Sequence, residues 1–567
     1  MQPSTFVARL VRTGGQAFFC LALTQAPALY LAAAPTTAST FECISIYHPD
    51  ANPAAVSVHF RADGGTDWRP ALDLVYDRRN REHRGSIVGL TPDTAYAIRL
   101  TQEGRATMIA ARTRSDRPPV GKTWPVVSGT APLEIKESGS PAGYHLWTPH
   151  PQTRATIDVG NQADYTVAID ADYVIVRGLE LKNAARHGVY IKPGRHHIVV
   201  EDCRITHWGR GGGPVTFGNT GNMDSAICAD RGAGELVLQR NLIEHPRGAS
   251  NDWDTGHPAG PQGISLSNSS GGNVIRYNEI VAPDDYGFND AIGGGSNFSD
   301  AGSPNRDSDI YGNVIAGVWD DGIESEGANM NVRIWGNYID RVYQHIATAS
   351  TSKGPLYIFR NVFATSRRTR SDPMGGAMIK TGSRGEFGGG RKFVFHNSAL
   401  QPRGAHTVFS GHADANTVTR NNIFDCPGRL ASSQPGDPPN DYDFDFYSGS
   451  EPGRAREPNG ARGHRMSFLA SPYLEFYPAP VLTTVRFGKI EVNLGGTVRE
   501  ITDPVVTLPN PAVDGGTRLA NFNDDFAGRA PDLGAFEVGR PPLRFGRRAA
   551  GNVWAPWELY SAERLTP

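Results

Sequence analysis

Seven asparagines recur at the same place in a repeated eight-residue pattern, and this repeat limits the possible folds more than any other feature of the chain. Each occurrence is a short segment rich in β-branched or aromatic residues, as in NVIRYNEI, VRIWGNYI and LYIFRNVF. Successive asparagines are 37, 35, 24, 24, 36 and 25 residues apart, which is one coil or one coil with an insert. The seven residues are Asn241, Asn278, Asn313, Asn337, Asn361, Asn397 and Asn422.

A unit this short cannot bury its own apolar face, so it has to stack on the next unit. An asparagine at the turn is expected to adopt the left-handed conformation and to hydrogen-bond to the asparagines above and below it. Cys203 and Leu179 continue the same frame towards the amino end. The repeat resembles the right-handed parallel β-helix, the solenoid of many pectinases, polysaccharide lyases and phage depolymerases. A β-sandwich of regular hairpins is the alternative fold, but it gives no reason for an asparagine at one fixed place.

Composition agrees with an all-β solenoid and excludes two other classes of protein. The 65 glycines and 41 prolines among 567 residues suit many turns and short strands. The net charge of −2 argues against a nucleic-acid-binding protein, which needs a basic surface. No uninterrupted apolar run is long enough to predict a membrane span.

Residues 1–38 resemble a secretory signal peptide, with two arginines, a short apolar core and an alanine-rich exit. We expect cleavage after Ala38 and not after Ala34, because Pro35 would follow the second cut. The chain is therefore predicted to be secreted or periplasmic. Polar residues and a proline interrupt the apolar core, so a disordered leader is the alternative.

Three further regions follow the leader. Residues 41–116 alternate apolar and polar positions, and residues 89–96, GLTPDTAY, resemble the G-L-x-P-x-T-x-Y motif of fibronectin type III modules. This resemblance implies a small β-sandwich that acts as a spacer or docking surface. A proline-rich linker leads to a solenoid over 121–470. The last region, 471–567, is predicted to cover the final coil, because its APDLGAFE string (530–537) resembles the ending of many secreted bacterial β-helix proteins.

A second set of strands lies between the asparagine strands, and it carries the candidate chemistry. These strands align on a column of buried isoleucines, from Ile227 to Ile379. Because strand residues alternate between faces, the residue after each isoleucine should point outward. His345 precedes its isoleucine and is expected to face the same way. The predicted outward residues are Cys228, Ser265, Gly293, Glu324, Ala347 and Lys380.

One coil in this set, WDDGIESE (319–326), concentrates acidic residues. Alternation places Asp320, Glu324 and Glu326 on its outer face, whereas Asp321 lies at the turn and can point either way. Carboxyls this close cost energy unless they are used, and crowding raises the pKa of at least one, as a general acid requires. Acidic decoration of a solenoid surface is the structural alternative. The predicted catalytic residues are Asp320, Asp321, Glu324, His345 and Lys380.

Long inserts precede this coil, at 209–224, 246–261, 282–289 and 296–308, and they contain aromatic residues suited to stacking on sugars. Several aspartates in the inserts could hold calcium through oxygen ligands. No EF-hand or nonapeptide calcium motif is present, so we predict no metal ligands and no cofactor, with calcium as a weak possibility. The predicted substrate-binding residues are Glu326, Asp290, Trp319, Tyr286 and Trp253.

The acidic coil also resembles the site of β-helix glycosidases such as polygalacturonases. Those enzymes use adjacent aspartates on one coil with a histidine and a basic residue on nearby coils, and Asp320, Asp321, His345 and Lys380 look like counterparts. Their Asn-Thr-Asp strand is missing here, where the chain has Asn-Asp-Ala at 289–291. The resemblance is therefore one of architecture and leaves the family open.

Three classes of function fit these residues. The favoured one is an inverting glycoside hydrolase, in which two carboxylates act across a sugar. The second is a polysaccharide lyase, in which Lys380 or His345 removes a proton beside a uronate carboxylate that calcium or an arginine neutralises. The third is a noncatalytic carbohydrate-binding solenoid. All three imply a polysaccharide or oligosaccharide partner, and none predicts an oligomeric state.

Overall fold

The computed structural model describes residues 33–210, 222–373, 375–400, 407–426, 428–447, 457–462, 512–541 and 543–550, with a few short strands between them. The chain begins as an antiparallel seven-stranded sheet folded over its own apolar core. Strand Arg69–Asp77 pairs with strands on both sides and joins the two halves. The seven strands are Thr36–Ser39, Ile44–Pro49, Val56–Ala62, Arg69–Asp77, Glu82–Ile87, Ala95–Gln102 and Arg105–Arg112.

A parallel β-helix of three twelve-stranded sheets follows, which confirms the predicted solenoid. Sheet one contains Val120–Val126, Tyr144–Pro149, Val174–Arg177, Ile198–Glu201, Val237–Gln239, Val274–Arg276, Asp309–Tyr311, Val332–Trp335, Leu356–Phe359, Lys392–Phe395, Thr417–Arg420 and Asp441–Tyr442. Sheet two contains Thr156–Asp158, Glu180–Lys182, Arg204–Thr206, Leu242–Glu244, Glu279–Val281, Val314–Ala316, Tyr338–Asp340, Val362–Phe363, Ser398–Leu400, Ile423–Asp425, Phe446–Tyr447 and Ala461–Arg462. Sheet three contains Leu133–Ile135, Tyr165–Ile169, His187–Ile191, Ser225–Ala229, Gln262–Leu266, Ile292–Gly293, Asp321–Glu324, Gln344–Ala349, Ile379–Gly382, Phe409–Gly411, Arg429–Ala431 and Glu451–Gly453.

Short elements complete the described chain. Two 3₁₀ turns occur, and small two-stranded pairs form within the inserts and towards the carboxyl end. The 3₁₀ turns are Asp284–Tyr286 and Arg547–Ala550. The small pairs are Pro214–Val215 with Ala249–Ser250, Gly302–Ser303 with Glu326–Gly327, Ala413–Asp414 with Gln434–Pro435, Ser467–Phe468 with Thr484–Val485, and Ile490–Leu494 with Thr497–Ile501.

Aliphatic columns fill the interior of the solenoid. The isoleucines used to align sheet three are stacked in register, with Ile227 opposite Ile264 and Ile323 opposite Ile346. They belong to one continuous core cluster whose members are almost completely buried. Each coil therefore buries its apolar face only against its neighbours, as the repeat predicts.

The asparagine ladder forms, but its turn geometry differs from the prediction. All seven asparagines are fully buried. Each asparagine side-chain oxygen accepts a hydrogen bond from the backbone N–H of the ladder residue one coil earlier. The first donor is the N–H of Cys203, and the last acceptor is the carboxylate of Asp445, which accepts the N–H of Asn422. The residue with positive φ is the one before each asparagine, such as Gly336 (φ 58°) or Arg360 (φ 53°). The asparagine supplies the hydrogen bonds, and its predecessor makes the turn.

Asn337→Ala is expected to lower the free energy of unfolding without removing activity. The change would leave the backbone N–H of Asn313 and the carbonyl of Ile310 without their buried partners. We expect a loss of about 1–3 kcal/mol in a denaturant titration. Asn80→Ala, which removes one exposed hydrogen bond to Asp77, is the control and should cost much less. Full loss of activity in a still-folded Asn337→Ala protein would contradict a purely structural ladder.

The amino-terminal module is docked against the solenoid by buried polar contacts. The Tyr47 hydroxyl donates to Asp307 at 2.7 Å, and the fully buried Arg333 of sheet one pairs with Asp309 at 2.6 Å and with the Ser45 hydroxyl at 2.7 Å. Within the module, the Tyr96 hydroxyl accepts the backbone N–H of Thr91, the corner contact that its motif predicts. Membership of the fibronectin type III family stays a prediction.

The described part of the carboxyl-terminal segment, from residue 512 onward, lies along the side of the solenoid. Phe522 packs against Tyr357 and Phe359 on the outer face of sheet one. Further on, Phe545 packs against Tyr338 on sheet two. The described part of this segment thus covers sheets one and two, and the end cap over the final coil stays a prediction. Most of 471–511 lies outside the described residues.

The predicted leader overlaps the first strand. Residues 1–32 lie outside the described residues, but Thr36–Ser39 pairs with Ile44–Pro49. Cleavage after Ala38 would remove most of this strand, whereas cleavage after Ala34 would leave it intact. Among the described residues, no helix is long and apolar enough to cross a membrane.

Candidate functional site

The candidate site lies on the outer face of sheet three, where strand Asp321–Glu324 sits between neighbouring coils. The register places Glu324 beside Ala347 and Ala347 beside Lys380, so the predicted outward column forms. Gly293, one coil before Glu324, leaves room for its carboxylate: a Cβ there would lie 2.9 Å from a Glu324 oxygen. The absence of a side chain at Gly293 therefore makes space for the Glu324 carboxylate on the next coil.

Five carboxyls from two coils converge at this point. Oxygens of Asp290, Asp320 and Asp321 lie within 4.8 Å of one another, as do oxygens of Asp321, Glu324 and Glu326. All five side chains are buried, with 1–8% of their surface exposed. Asp321, whose direction the sequence left open, turns into the cluster and joins the two groups. We call these five residues the acidic cluster.

Backbone and amide groups hold the outer members of the acidic cluster. Asp290 accepts hydrogen bonds from Gln262 at 2.7 Å, from Asn289 at 2.9 Å and from the backbone N–H of Asp321 at 3.1 Å. The Gly294 N–H donates to Glu324 at 2.9 Å. These contacts fix the positions of the carboxylates before any ligand binds.

Several oxygens of the acidic cluster have no hydrogen-bond partner within the described structure. They are one oxygen each of Asp320, Asp321 and Glu326. A buried carboxylate oxygen without a donor is costly, and such groups in proteins are normally satisfied by a donor or by a cation. The acidic cluster therefore has carboxylate oxygens suited to bind a cation.

Burial and mutual repulsion raise the pKa values in the acidic cluster. Loss of solvent is the largest cause for each affected member, followed by the charge of a neighbouring carboxylate in Asp290, Asp320 and Glu324. The pKa of Glu324 is raised to about 7 and that of Glu326 to about 8. The pKa values of Asp290 and Asp320 are raised well above their ordinary range.

Lys380 is the lysine that ion-pairs inside the cluster. Its ammonium lies 2.7 Å from an oxygen of Asp321 and 3.3 Å from one of Glu326, and 24% of its side chain is exposed. Burial alone would lower the pKa of Lys380, but the surrounding carboxylates outweigh this and raise it well above the usual value.

An open groove of about 500 Å³ runs over this face. Lys380 and Glu326 line it on the acidic side, and Phe298 of an insert lines it opposite the solenoid surface. Ser410 and His412 continue the lining on later coils. The groove gives an extended ligand access to Lys380.

His345 does not face the groove, contrary to the prediction. It is fully buried, its Nε2 lies 3.0 Å from the carbonyl oxygen of Ala364, and its ring packs near Phe363. The equivalent positions on other coils, Ala291 and Met378, are also in the core. His345 and Ile346 are consecutive in strand Gln344–Ala349 and both are fully buried, so simple alternation fails here.

The three predicted aromatic contacts have different surroundings. Trp253 stacks on Tyr343 with ring centroids 5.3 Å apart, at the edge of the site. Tyr286 stacks on His245 at 4.4 Å, in a column outside the acidic cluster. One face of Trp319 is covered by the guanidinium of Arg367 at 4.1 Å. Their predicted roles in substrate binding stay predictions.

The structure adds His257, which the sequence did not single out. Its Nε2 lies 3.7 Å from an Asp320 oxygen, and the residue lines the groove. Its insert is clamped across the site, because Asp254 accepts the backbone N–H groups of Arg370 and Ser371 at 2.7 and 2.6 Å. No periodic signal marks such a loop, so sequence alone could not place it.

The described insert aspartates that were suggested as calcium ligands lie in different parts of the structure. Of those with described side chains, Asp290 joins the acidic cluster. Asp307 and Asp309 instead bind the amino-terminal module. Asp285 is exposed.

Comparisons with known proteins find similarity in fold but not in sequence family. No family model matches the chain, and no curated protein matches it. Pectate lyase Pel9A is similar to it in structure, with 14% identity over 75% of this chain and 91% of that chain and a TM-score of 0.38. A rhamnogalacturonan lyase has 12% identity over 52% of this chain and 75% of that chain, with a TM-score of 0.33. A tailspike protein of E. coli bacteriophage HK620 has 14% identity over 59% of each chain, with a TM-score of 0.30.

Proposed function

We propose that this protein is a polysaccharide lyase that cleaves a uronate-containing polymer by β-elimination. Lys380 is the proposed base, and it removes the proton on the sugar carbon next to the uronate carboxylate. The electron pair of that C–H bond then forms a double bond to the neighbouring ring carbon, and the bond from that carbon to the glycosidic oxygen breaks. The oxygen leaves with the bonding pair and takes up a proton from solvent, which gives the new reducing end. The observation that carries the proposal is a lysine that reaches an open groove from a buried acidic cluster.

The spacing of the carboxyls favours elimination over hydrolysis. A hydrolase places two carboxyls on opposite sides of a sugar, about 6.5–9.5 Å apart in inverting enzymes and about 5–5.5 Å in retaining ones. Here the oxygens of Asp290, Asp320 and Asp321 lie within 4.8 Å of one another, and so do those of Asp321, Glu324 and Glu326. Little room is left among them for a sugar or an attacking water. The hydrolase favoured from sequence therefore becomes the second candidate, supported by the raised pKa values of Glu324 and Glu326.

The acidic cluster has the donor set of a calcium site. Calcium binds six to eight oxygens at about 2.3–2.6 Å, so two of its ligands are at most roughly 5 Å apart. Both groups of oxygens satisfy this limit, and neither contains histidine or cysteine. Asp290, Asp320, Asp321, Glu324 and Glu326 would hold the ion, and the unpartnered oxygens would be satisfied. Bound calcium would neutralise the acidic cluster and polarise the uronate carboxylate.

Lys380 needs that neutralisation to act as a base. The carboxylates keep its pKa raised, and only an uncharged amine accepts a proton. Relief of their charge lowers the pKa, while the burial that already opposes the charged form remains. The lysine and the acidic cluster thus form one functional unit.

Product analysis tests the proposal. The protein should be incubated with polygalacturonate and alginate in the presence of calcium. A lyase forms unsaturated ends that absorb ultraviolet light, together with reducing ends. Reducing ends without this absorbance would support the hydrolase instead, and neither product from either polymer would argue against both enzymes.

Phe298→Ala is expected to raise KM with little change in kcat. The ring lines the groove and packs over Gly382, and its insert is pinned because Ser350 donates to the Asn297 carbonyl. Loss of an aromatic face for a sugar should raise KM about two- to tenfold. Phe298→Tyr, which keeps the ring, is the control. An unchanged KM in Phe298→Ala would remove this residue from the binding site.

A further inference from the structure

A second cleft, of about 350 Å³, lies at the junction between the amino-terminal module and the solenoid. The module contributes Arg78 and Arg79 to its wall, and the solenoid contributes Lys353 and Arg391. Arg79 crosses the junction and donates to the carbonyl of Glu386 at 2.6 Å and to that of Ser352. The wall is therefore held in place by contacts between the two domains. We call this the junction cleft.

Cationic groups outnumber carboxylates in the junction cleft. Five basic and three acidic side chains line it. The Asp77 carboxylate is already ion-paired with the buried Arg84, at 2.5 Å. The Arg78–Asp437 pair is largely exposed, at 71% and 80%, so solvent screens it and a ligand can compete for Arg78. The cleft therefore favours an anionic ligand.

Arg391 is the residue best prepared to bind such a ligand. Its Nε donates to the Asn416 side chain at 2.6 Å, and its guanidinium lies 5.5 Å from the Phe393 ring. Asn416 is held in turn by the Gly389 carbonyl at 3.0 Å. In the part of the chain that is described, Arg391 makes no ion pair. Its two terminal amino groups thus remain available for paired hydrogen bonds to a carboxylate.

The floor of the junction cleft is a run of glycines. Gly388, Gly389 and Gly390 line it with backbone alone. A Cβ on Gly390 would lie 2.7 Å from the backbone of Lys353, so this close packing requires glycine. A flat floor without side chains beside an ordered arginine suits a sugar ring that carries a carboxylate.

The junction cleft lies close to the groove along the chain. Strand Ile379–Gly382 carries Lys380 in the groove and leads directly to Ser383, which lines the cleft. Three residues of extended chain span about 10 Å. One polymer chain can therefore reach both places.

We propose that the junction cleft is a second binding site for the acidic polymer, in which Arg391 binds a uronate carboxylate remote from the bond that is cleaved. This inference rests on the proposed action on a uronate polymer. It gives the amino-terminal module a part in substrate binding, because Arg78 and Arg79 form one wall of the site.

Affinity electrophoresis through gels containing polygalacturonate tests this site without using turnover. Arg391→Ala should weaken retention about tenfold or more, the loss expected for hydrogen bonds to a charged group. Arg391→Lys should bind with intermediate affinity. Arg105→Ala, at an exposed arginine that does not line the cleft, should match the parent protein. Methyl-esterified polygalacturonate should retain parent and Arg391→Ala equally, because its carboxylates are masked.

Kinetics separate this site from the catalytic one. Arg391→Ala should raise KM on the long polymer and leave kcat/KM unchanged on the shortest oligomer that is cleaved. Thermal unfolding establishes that the variant is folded. Equal retention of Arg391→Ala and parent, or no retention of the parent, would overturn the site. Normal retention through Arg391 without an ultraviolet-absorbing product would instead overturn the lyase and leave the binding site standing.

Discussion

Lys380→Ala is expected to lower kcat on the uronate polymer by about two to four orders of magnitude, the usual contribution of a general base. The amine is the proposed base, it lines the groove, and its contacts to Asp321 and Glu326 hold it there. Lys380→Arg should be as inactive as Lys380→Ala, because a guanidinium keeps the positive charge but does not lose its proton. The rate of ultraviolet absorbance increase measures both variants.

The arginine variant makes this prediction specific. A residue that merely neutralised Asp321 and Glu326 would be replaceable by arginine, whereas a base would not. Lys192→Ala, at a half-exposed lysine that pairs with Asp170, is the matched control and should retain activity. Near-normal turnover in Lys380→Arg would show that lysine is not the base.

Removal of calcium is expected to abolish activity and to lower the melting temperature at pH 8. The raised pKa values of the acidic cluster show that ionising its carboxyls costs free energy in the folded protein. A cation that binds only the folded state offsets this cost at pH 8 and therefore stabilises the protein. At a calcium concentration 100 times Kd, the gain is about 2.7 kcal/mol. At about 2.1 cal/mol/K of unfolding entropy per residue, this corresponds to roughly 2–3 °C for a chain of 567 residues. Differential scanning calorimetry with and without a chelator measures the shift.

The calcium effect should depend on pH with a definite sign. The pKa values of Glu324 and Glu326 rise from 4.5 to about 7 and about 8 in the folded protein. Their contribution to stability without metal is therefore fully present below about pH 4.5 and is lost as the pH rises through those folded values. The calcium-free protein should melt lower at pH 8 than at pH 5, and calcium should protect more at pH 8.

Asp321→Asn tests whether the calcium-dependent stability arises from the acidic cluster. Asp321 belongs to both groups of oxygens, so its loss should remove most of the calcium response and most of the activity. Asp285→Asn, at an exposed aspartate of the preceding insert, should behave like the parent. An Asp321→Asn protein with full calcium protection and normal turnover would place the ion and the chemistry elsewhere.

The sequence by itself determined the repeating part of this protein. Identical short units bury their aliphatic residues only when they stack in register, so the asparagine ladder and the isoleucine column could be predicted from spacing. Glu324 and Lys380 follow directly from that register, since each comes one residue after a core isoleucine in a strand of period two. Strand periodicity holds as long as the chain stays extended.

The tertiary structure decided the positions where the chain bends or leaves the repeat. His345 and Asp321 are among the first two residues of their strands, directly after a bend, where the neighbouring coil sets the side-chain direction. His345 turns into the core and Asp321 into the acidic cluster. His257 lies on an insert without period, and the contact of Asp254 with a distant loop brings it to Asp320. The junction cleft depends on docking two domains. These positions result from packing between segments far apart in sequence, which local patterns do not encode.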